Sequence, residues 1–156
     1  MSVTAAQGFL ASGVAAGIKA SGRPDLALVR NLGPDHAAAG VFTSNAFTAA
    51  PVKWSQRAIA DGQLAAVVLN SGGANACTGD AGYADTVQTA EGVASALACE
   101  AADVAVCSTG LIGVRLPMDK IEAGVRTASH ALSDEGGHEA ALAIMTTDTV
   151  AKEAVH

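Results

Sequence analysis

Leu64–Leu69 (LAAVVL) is an unbroken apolar run, followed at once by Asn70–Gly79 (NSGGANACTG), ten residues dense in Gly and Asn. A short apolar run bounded by turn residues predicts a strand buried on both faces. Asp80 then caps a helix expected to reach about Ala98, with Val87, Ala90, Ala94 and Leu97 at helical spacing. A strand, a glycine-rich loop and a long helix in that order form the repeating unit of a sheet flanked by helices. Few other folds accept it.

The rest of the chain keeps the same alternation. Asp25–Asn31 (DLALVRN) reads as a strand ending at the turn signal Gly33-Pro34. Ala37–Thr43 (AAAGVFT), closed by Ser44-Asn45, reads as a second strand that would form a hairpin with it. Pro51 opens a helix over Val52–Ala60, which Gly62 ends. Asp103–Cys107 is a further strand running into Ser108-Thr109-Gly110. Pro117 starts a helix to about Leu132, with Met118, Ile121, Val125 and Leu132 on or near one face. His138–Met145 is a short helix halted by Thr146-Thr147-Asp148-Thr149, and Val150–His156 could begin another strand. The class is α/β. No repeat or low-complexity linker divides the chain, so residues 1–156 are expected to form one α/β domain. Val155-His156 carries neither cap nor tail composition, and the sequence is expected to be a piece of a longer polypeptide.

Composition narrows the partners. Half the residues are hydrophobic but only 3% aromatic, which suits close packing of small side chains. A net charge of -6, with no run of Lys or Arg, excludes an ordinary nucleic-acid binder. No window approaches the ~20 apolar residues of a membrane span, and Met1–Gly13 lacks the pattern of a secretory signal. Cys77, Cys99 and Cys107 are odd in number and lack C-x-x-C spacing, so reduced thiols in a cytoplasmic protein are expected and no zinc site is. His36, His130, His138 and His156 share no ligand spacing, so no metal is expected.

Three segments hold candidate chemistry. The Asn70–Gly79 loop lies where α/β sheets place ligands, either as an anion cradle or as a tight connection whose Asn side chains satisfy their own backbone. It matches neither G-x-x-x-x-G-K-[ST] nor G-x-G-x-x-G. In Cys107–Gly113 (CSTGLIG), a hydroxyl residue before Gly can aim an O–H and an N–H at one point, as an oxyanion requires, or the Thr can bond to its own turn. Cys107 and Ser108 could be nucleophiles, although this is no G-x-S-x-G elbow. Thr146-Thr147-Asp148-Thr149 could bind a ligand's amino or carboxylate end, or merely turn the backbone. Lys152-Glu153 is expected to be a solvated pair.

Taken together, Gly13–Lys19 (GVAAGIK), Ala39–Asn45 (AGVFTSN), Ala49–Val52 (AAPV), the Asn70–Gly79 loop, Ser108–Gly113 with Leu116-Pro117-Met118, and Ala143–Thr149 (AIMTTDT) resemble the bacterial ornithine acetyltransferase family, also called glutamate N-acetyltransferases. The likeness covers essentially the whole chain in order. It implies the layered helix–sheet fold of self-processing acyltransferases with an N-terminal Thr, in which a precursor cleaves at an Ala–Thr bond into α and β chains. The new N-terminal Thr of the β chain is the nucleophile in that family. It takes acetyl from N2-acetylornithine and passes it to glutamate in arginine biosynthesis. No cofactor is implied, although some members accept acetyl-CoA as co-substrate. By motif, the Thr109 hydroxyl and the Gly110 N–H would form the oxyanion hole, and Thr146 would help bind substrate.

The family's α chain continues through a Lys-Gly-rich segment to an Ala-Thr-Met cleavage site, and this sequence ends before both. The resemblance therefore implies the N-terminal portion of an α chain, without the nucleophile and inert alone, partnered by a β chain in an α2β2 assembly. Two rival readings stay open: an anion-binding module built on the 70–79 loop, and a hydrolase using Cys107 or Ser108.

Overall fold

The computed structural model describes residues 2–155. Its elements are β1 (Phe9–Val14), β2 (Leu26–Asn31), α1 (Ala50–Ala58), β3 (Ala66–Asn70), α2 (Gly79–Leu97), a 3-10 turn (Ala101–Asp103), β4 (Val104–Ser108), α3 (Met118–His130) and α4 (Gly137–Ala143). The strands form one sheet in the order β1-β2-β3-β4, antiparallel except for β3 and β4, which run parallel with α2 as their crossover.

Alternation along the strands gives the sheet two unlike faces. Leu26 and Leu28, with Val68, Val104 and Val106, pack against the apolar stripes of α2 and α3, and this is the main core. The opposite face is built from alanines. Ala11 and Ala27 meet Ala140 and Ala143 of α4, and Ala105 meets Ala58 of α1. Helix α1 also closes the open edge of β4, which would otherwise be free to pair with another chain. Ser55 Oγ donates to the Val106 carbonyl and accepts the Val106 N–H, at 2.8 and 2.9 Å, and Trp54 Nε1 donates to the Val104 carbonyl at 2.8 Å.

Three of the four expected strands and all four expected helices form, with ends shifted by one or two residues. Asp80 lies in the first turn of α2, and Thr78 holds the cap position. Ala37–Thr43 is the correction. Both edges of β2 are occupied, by β1 and β3, so no edge remains for a hairpin. Only Ala37 makes a bridge, to Gln63, and from Ala39 onward the segment runs exposed, with Val41 wholly in solvent. The partner that β2 does use, β1, has an apolar pattern broken by Ser12 and Gly13, and both residues have structural reasons. Ser12 Oγ donates to the Ala128 carbonyl of α3. A Cβ on Gly13 would lie 1.9 Å from the Glu139 carbonyl oxygen, so only glycine lets α4 settle on β1. Residues 150–155 form no strand, and His156 lies outside the described residues.

Candidate active site

Because β3 and β4 are parallel, their C-terminal ends leave the sheet at the same edge, with Asn70 opposite Ser108. The two following loops are bonded to each other. Thr109 N–H donates to the Asn70 carbonyl at 3.0 Å, Ala74 N–H to Leu111 at 2.9 Å, and Gly113 N–H to Ala76 at 2.8 Å. Gly110 has φ +139°, and a Cβ there would stand 2.8 Å from the Gly73 nitrogen, so the turn depends on glycine. Thr109 and Gly110 are both exposed. Among the described residues, neither the Thr109 hydroxyl nor the Gly110 N–H has a hydrogen-bond partner. The turn leaves two donors uncommitted.

The two asparagines of the first loop differ in kind. Asn75, fully buried at φ +47°, donates to the Gly82 carbonyl and Thr86 Oγ1 and accepts from Thr78 Oγ1. It fastens the loop to the start of α2 and is structural. Asn70, 4% exposed, donates through Nδ2 to Ser108 Oγ at 2.7 Å, and its Oδ1 has no partner among the described residues. A buried unpaired amide oxygen costs about 1–3 kcal/mol. That cost is borne next to the Thr109–Gly110 turn.

The next residue, Ser71, reaches the other way. Its hydroxyl donates to the Ala143 carbonyl at the end of α4, at 2.5 Å. Two residues on, the Met145 carbonyl accepts from Lys19 Nζ at 2.5 Å. Lys19 is itself placed by Asp25, a carboxylate with no exposure whose two oxygens accept the N–H groups of Ala16 and Lys19 at 2.7 and 2.8 Å. Burial pushes the Lys19 ammonium below the ordinary lysine value, Asp25 opposes that shift, and Arg23 adds to it. Thr146 follows Met145 and is exposed. Thr109 and the Thr146 segment are thus tied to consecutive residues of one strand end.

Other sequence candidates fall away from this edge or lose their chemistry. Cys107 is accessible, but desolvation pushes its thiol pKa up, which makes it a poor nucleophile at neutral pH. Ser108 Oγ accepts from the Asn70 amide, a group that cannot act as a base. Lys152 and Glu153 do not pair with each other. Lys152 meets Asp148 four residues back, and Glu153 meets His138 at 2.6 Å, because the tail folds against α4. Among the described residues, no three His, Cys, Asp or Glu side chains cluster closely enough to hold a metal ion. No helix among them is long and apolar enough to cross a membrane. Sequence reasoning missed Lys19, Asp25, Asn70 and Ser71 as supports. Their signal was a polar residue directly flanking a strand, which by itself reads as ordinary turn chemistry.

An α/β sheet with two bonded loops at its parallel strand ends, one bearing uncommitted donors, offers polar groups at the edge where sheets of this class place ligands. The ArgJ family model matches residues 10–156, and the chain belongs to that family. It is 63% identical over 155 residues to the arginine biosynthesis bifunctional protein ArgJ of Streptomyces coelicolor, covering 99% of this chain and 40% of the relative. The ArgJ protein of Mycobacterium leprae is also 63% identical, with 97% and 39% covered. The chain therefore spans about two fifths of the length of the curated relatives it matches. Among solved structures, ornithine acetyltransferase of Mycobacterium tuberculosis complexed with ornithine superposes with a TM-score of 0.95 at 63% identity, covering 96% of this chain and 81% of that one. The ArgJ protein of Bacillus halodurans gives 0.88 at 42% identity, with 96% and 78% covered.

Proposed function

We propose that this chain is the α-chain portion of a glutamate N-acetyltransferase, moving acetyl from N2-acetylornithine to glutamate in arginine biosynthesis. The observation that carries the reading is the pair of uncommitted donors on the Thr109–Gly110 turn. In acyl transfer the attacked carbonyl oxygen gains negative charge, and donors held ready for that charge are worth several kcal/mol. Thr109 supplies the hydroxyl and Gly110 the N–H. The turn that carries them is tied to the neighbouring loop on both sides, by Thr109 N–H to the Asn70 carbonyl and Ala74 N–H to the Leu111 carbonyl. Thr146 binds the amino acid part of the substrate.

The nucleophile in this reading is the N-terminal Thr of a β chain cut from the same precursor, and the acetyl group rests on its hydroxyl between half-reactions. Exposed apolar side chains support a covering partner at this edge, since Leu111, Ile112 and Val114, next to the donor turn, are 75%, 67% and 60% exposed. So does the thinly covered sheet face, where Ala27, Val29 and Leu69 line a cavity of about 380 Å³ beside α4. The assembly in this reading is α2β2, in the cytoplasm. No cofactor enters the reading, and acetyl-CoA is at most a second acetyl donor.

The test is acetyl transfer with purified protein. Residues 1–156 alone should transfer no acetyl from N-acetylornithine to glutamate, and co-expression with the remainder found in the longer relatives should restore transfer. Turnover by the isolated 156 residues would refute the reading.

A further inference from the structure

The two residues just beyond the cap of α4 are weakly fixed by local bonds. The Met145 N–H reaches the Leu142 carbonyl only at 3.3 Å, and the Thr146 N–H reaches Asp148 Oδ2 only at 3.5 Å, the outer limit of a hydrogen bond. The stronger ties come from outside the helix. Ser71 Oγ holds the Ala143 carbonyl, and Lys19 Nζ holds the Met145 carbonyl, each at 2.5 Å. The second is a charge-assisted bond, and such bonds are about twice as strong as neutral ones.

Lys19 has little freedom to do otherwise. Its backbone is pinned by the buried Asp25 carboxylate, and its ammonium also donates to the Pro24 carbonyl at 3.3 Å. The connection between β1 and β2 is locked in turn to the strand end, since Ser71 N–H donates to the Asp25 carbonyl at 2.9 Å and a Cβ on Gly72 would strike Ile18 at 2.2 Å. A rigid path therefore runs from β3 through Asp25 and Lys19 to the residue before Thr146.

We propose that Lys19 is a positioning residue for substrate, its ammonium holding the Met145 carbonyl so that Thr146 is fixed where the acetylated amino acid binds. This rests on the acetyltransferase reading. Lys19 touches no reacting atom. It acts on binding through Thr146, so its loss should raise KM more than it lowers kcat.

The experiment uses the complete processed enzyme carrying Lys19→Met, Lys19→Arg, Thr146→Ala or Lys19→Met with Thr146→Ala. Lys19→Met should raise KM for N-acetylornithine about tenfold, the equivalent of one lost 1.4 kcal/mol interaction, with kcat changed much less. Lys19→Arg, which keeps a cationic donor, should recover most of the loss. In the Thr146→Ala background Lys19→Met should add nothing further, because the two act in series. Amide exchange over residues 143–149, measured without substrate, should quicken in Lys19→Met. An unchanged KM, an unchanged exchange rate, or a full tenfold effect in the Thr146→Ala background would each overturn the proposal. Lack of transfer by the unmutated enzyme would overturn the acetyltransferase reading and the substrate role of Lys19 with it, a result read before any variant is made.

Discussion

The side-chain amide of Asn70 donates to Ser108 Oγ at 2.7 Å, and the oxygen of the same amide, buried, has no partner among the described residues. The bond joins the last residues of two parallel strands, one position before the donor turn. Asn70→Ala should lower stability by only about 1 kcal/mol, since losing one net hydrogen bond is partly offset by removing the unpaired oxygen. It should lower kcat by about tenfold or more, because small misplacements of catalytic donors are costly. Denaturant unfolding and steady-state kinetics on the complete enzyme separate the two effects.

Ser55 tests the closure of the sheet edge. Both of its hydrogen bonds go to Val106, and each is worth about 0.5–1.5 kcal/mol net, so Ser55→Ala should destabilise by about 1–3 kcal/mol. The exposed edge of β4 should also make the variant more prone to associate, which light scattering would detect.

Gly13→Ala probes the seating of α4. The new methyl would collide with backbone at Glu139, which cannot swing aside as a side chain can. A loss of about 2 kcal/mol or more is expected, the range of overpacking in a close-fitted interior. KM should rise as well, because α4 leads into Thr146.

The fold was legible where small apolar residues run together, and illegible where packing needed something else. Leu64–Leu69 and the stripe of α2 declare themselves, since burial demands little beyond continuity and period. β1 hides because Ser12 is spent on a bond to α3 and Gly13 on clearance for α4, and both dilute the apolar pattern that marks a strand. Ala37–Thr43 misleads for the opposite reason, because alanine and valine suit a strand equally well whether or not a neighbouring edge is free. At the candidate site the residues proposed to act on substrate, Thr109, Gly110 and Thr146, came from motif likeness. Their supports, Lys19, Asp25, Asn70 and Ser71, act through contacts between segments far apart in sequence, which no local pattern records.

Cys107 distinguishes acetyl transfer from thiol hydrolysis. Burial disfavours the thiolate, so its pKa lies above the ordinary thiol value. Alkylation by iodoacetamide should be slower at neutral pH than that of an ordinary free thiol, and its rise with pH should be displaced upward, because the reactive thiolate is disfavoured. Cys107→Ala should keep acetyl transfer within about twofold of wild type, since the proposed cycle runs through a threonine hydroxyl and uses no thiol.

Thr109→Ala is the most direct measurement. In complete, fully processed enzyme, kcat for transfer from N-acetylornithine to glutamate should fall by about 10²–10³, with KM little changed, because the hydroxyl acts on charge present only in the transition state. Precursor cleavage passes through a similar tetrahedral species, so the processed fraction must be measured in the same samples. The uncommitted hydroxyl predicts near wild-type stability for this variant, since no bond is lost. A fully processed Thr109→Ala enzyme with wild-type kcat would contradict the assignment of this turn as the oxyanion hole.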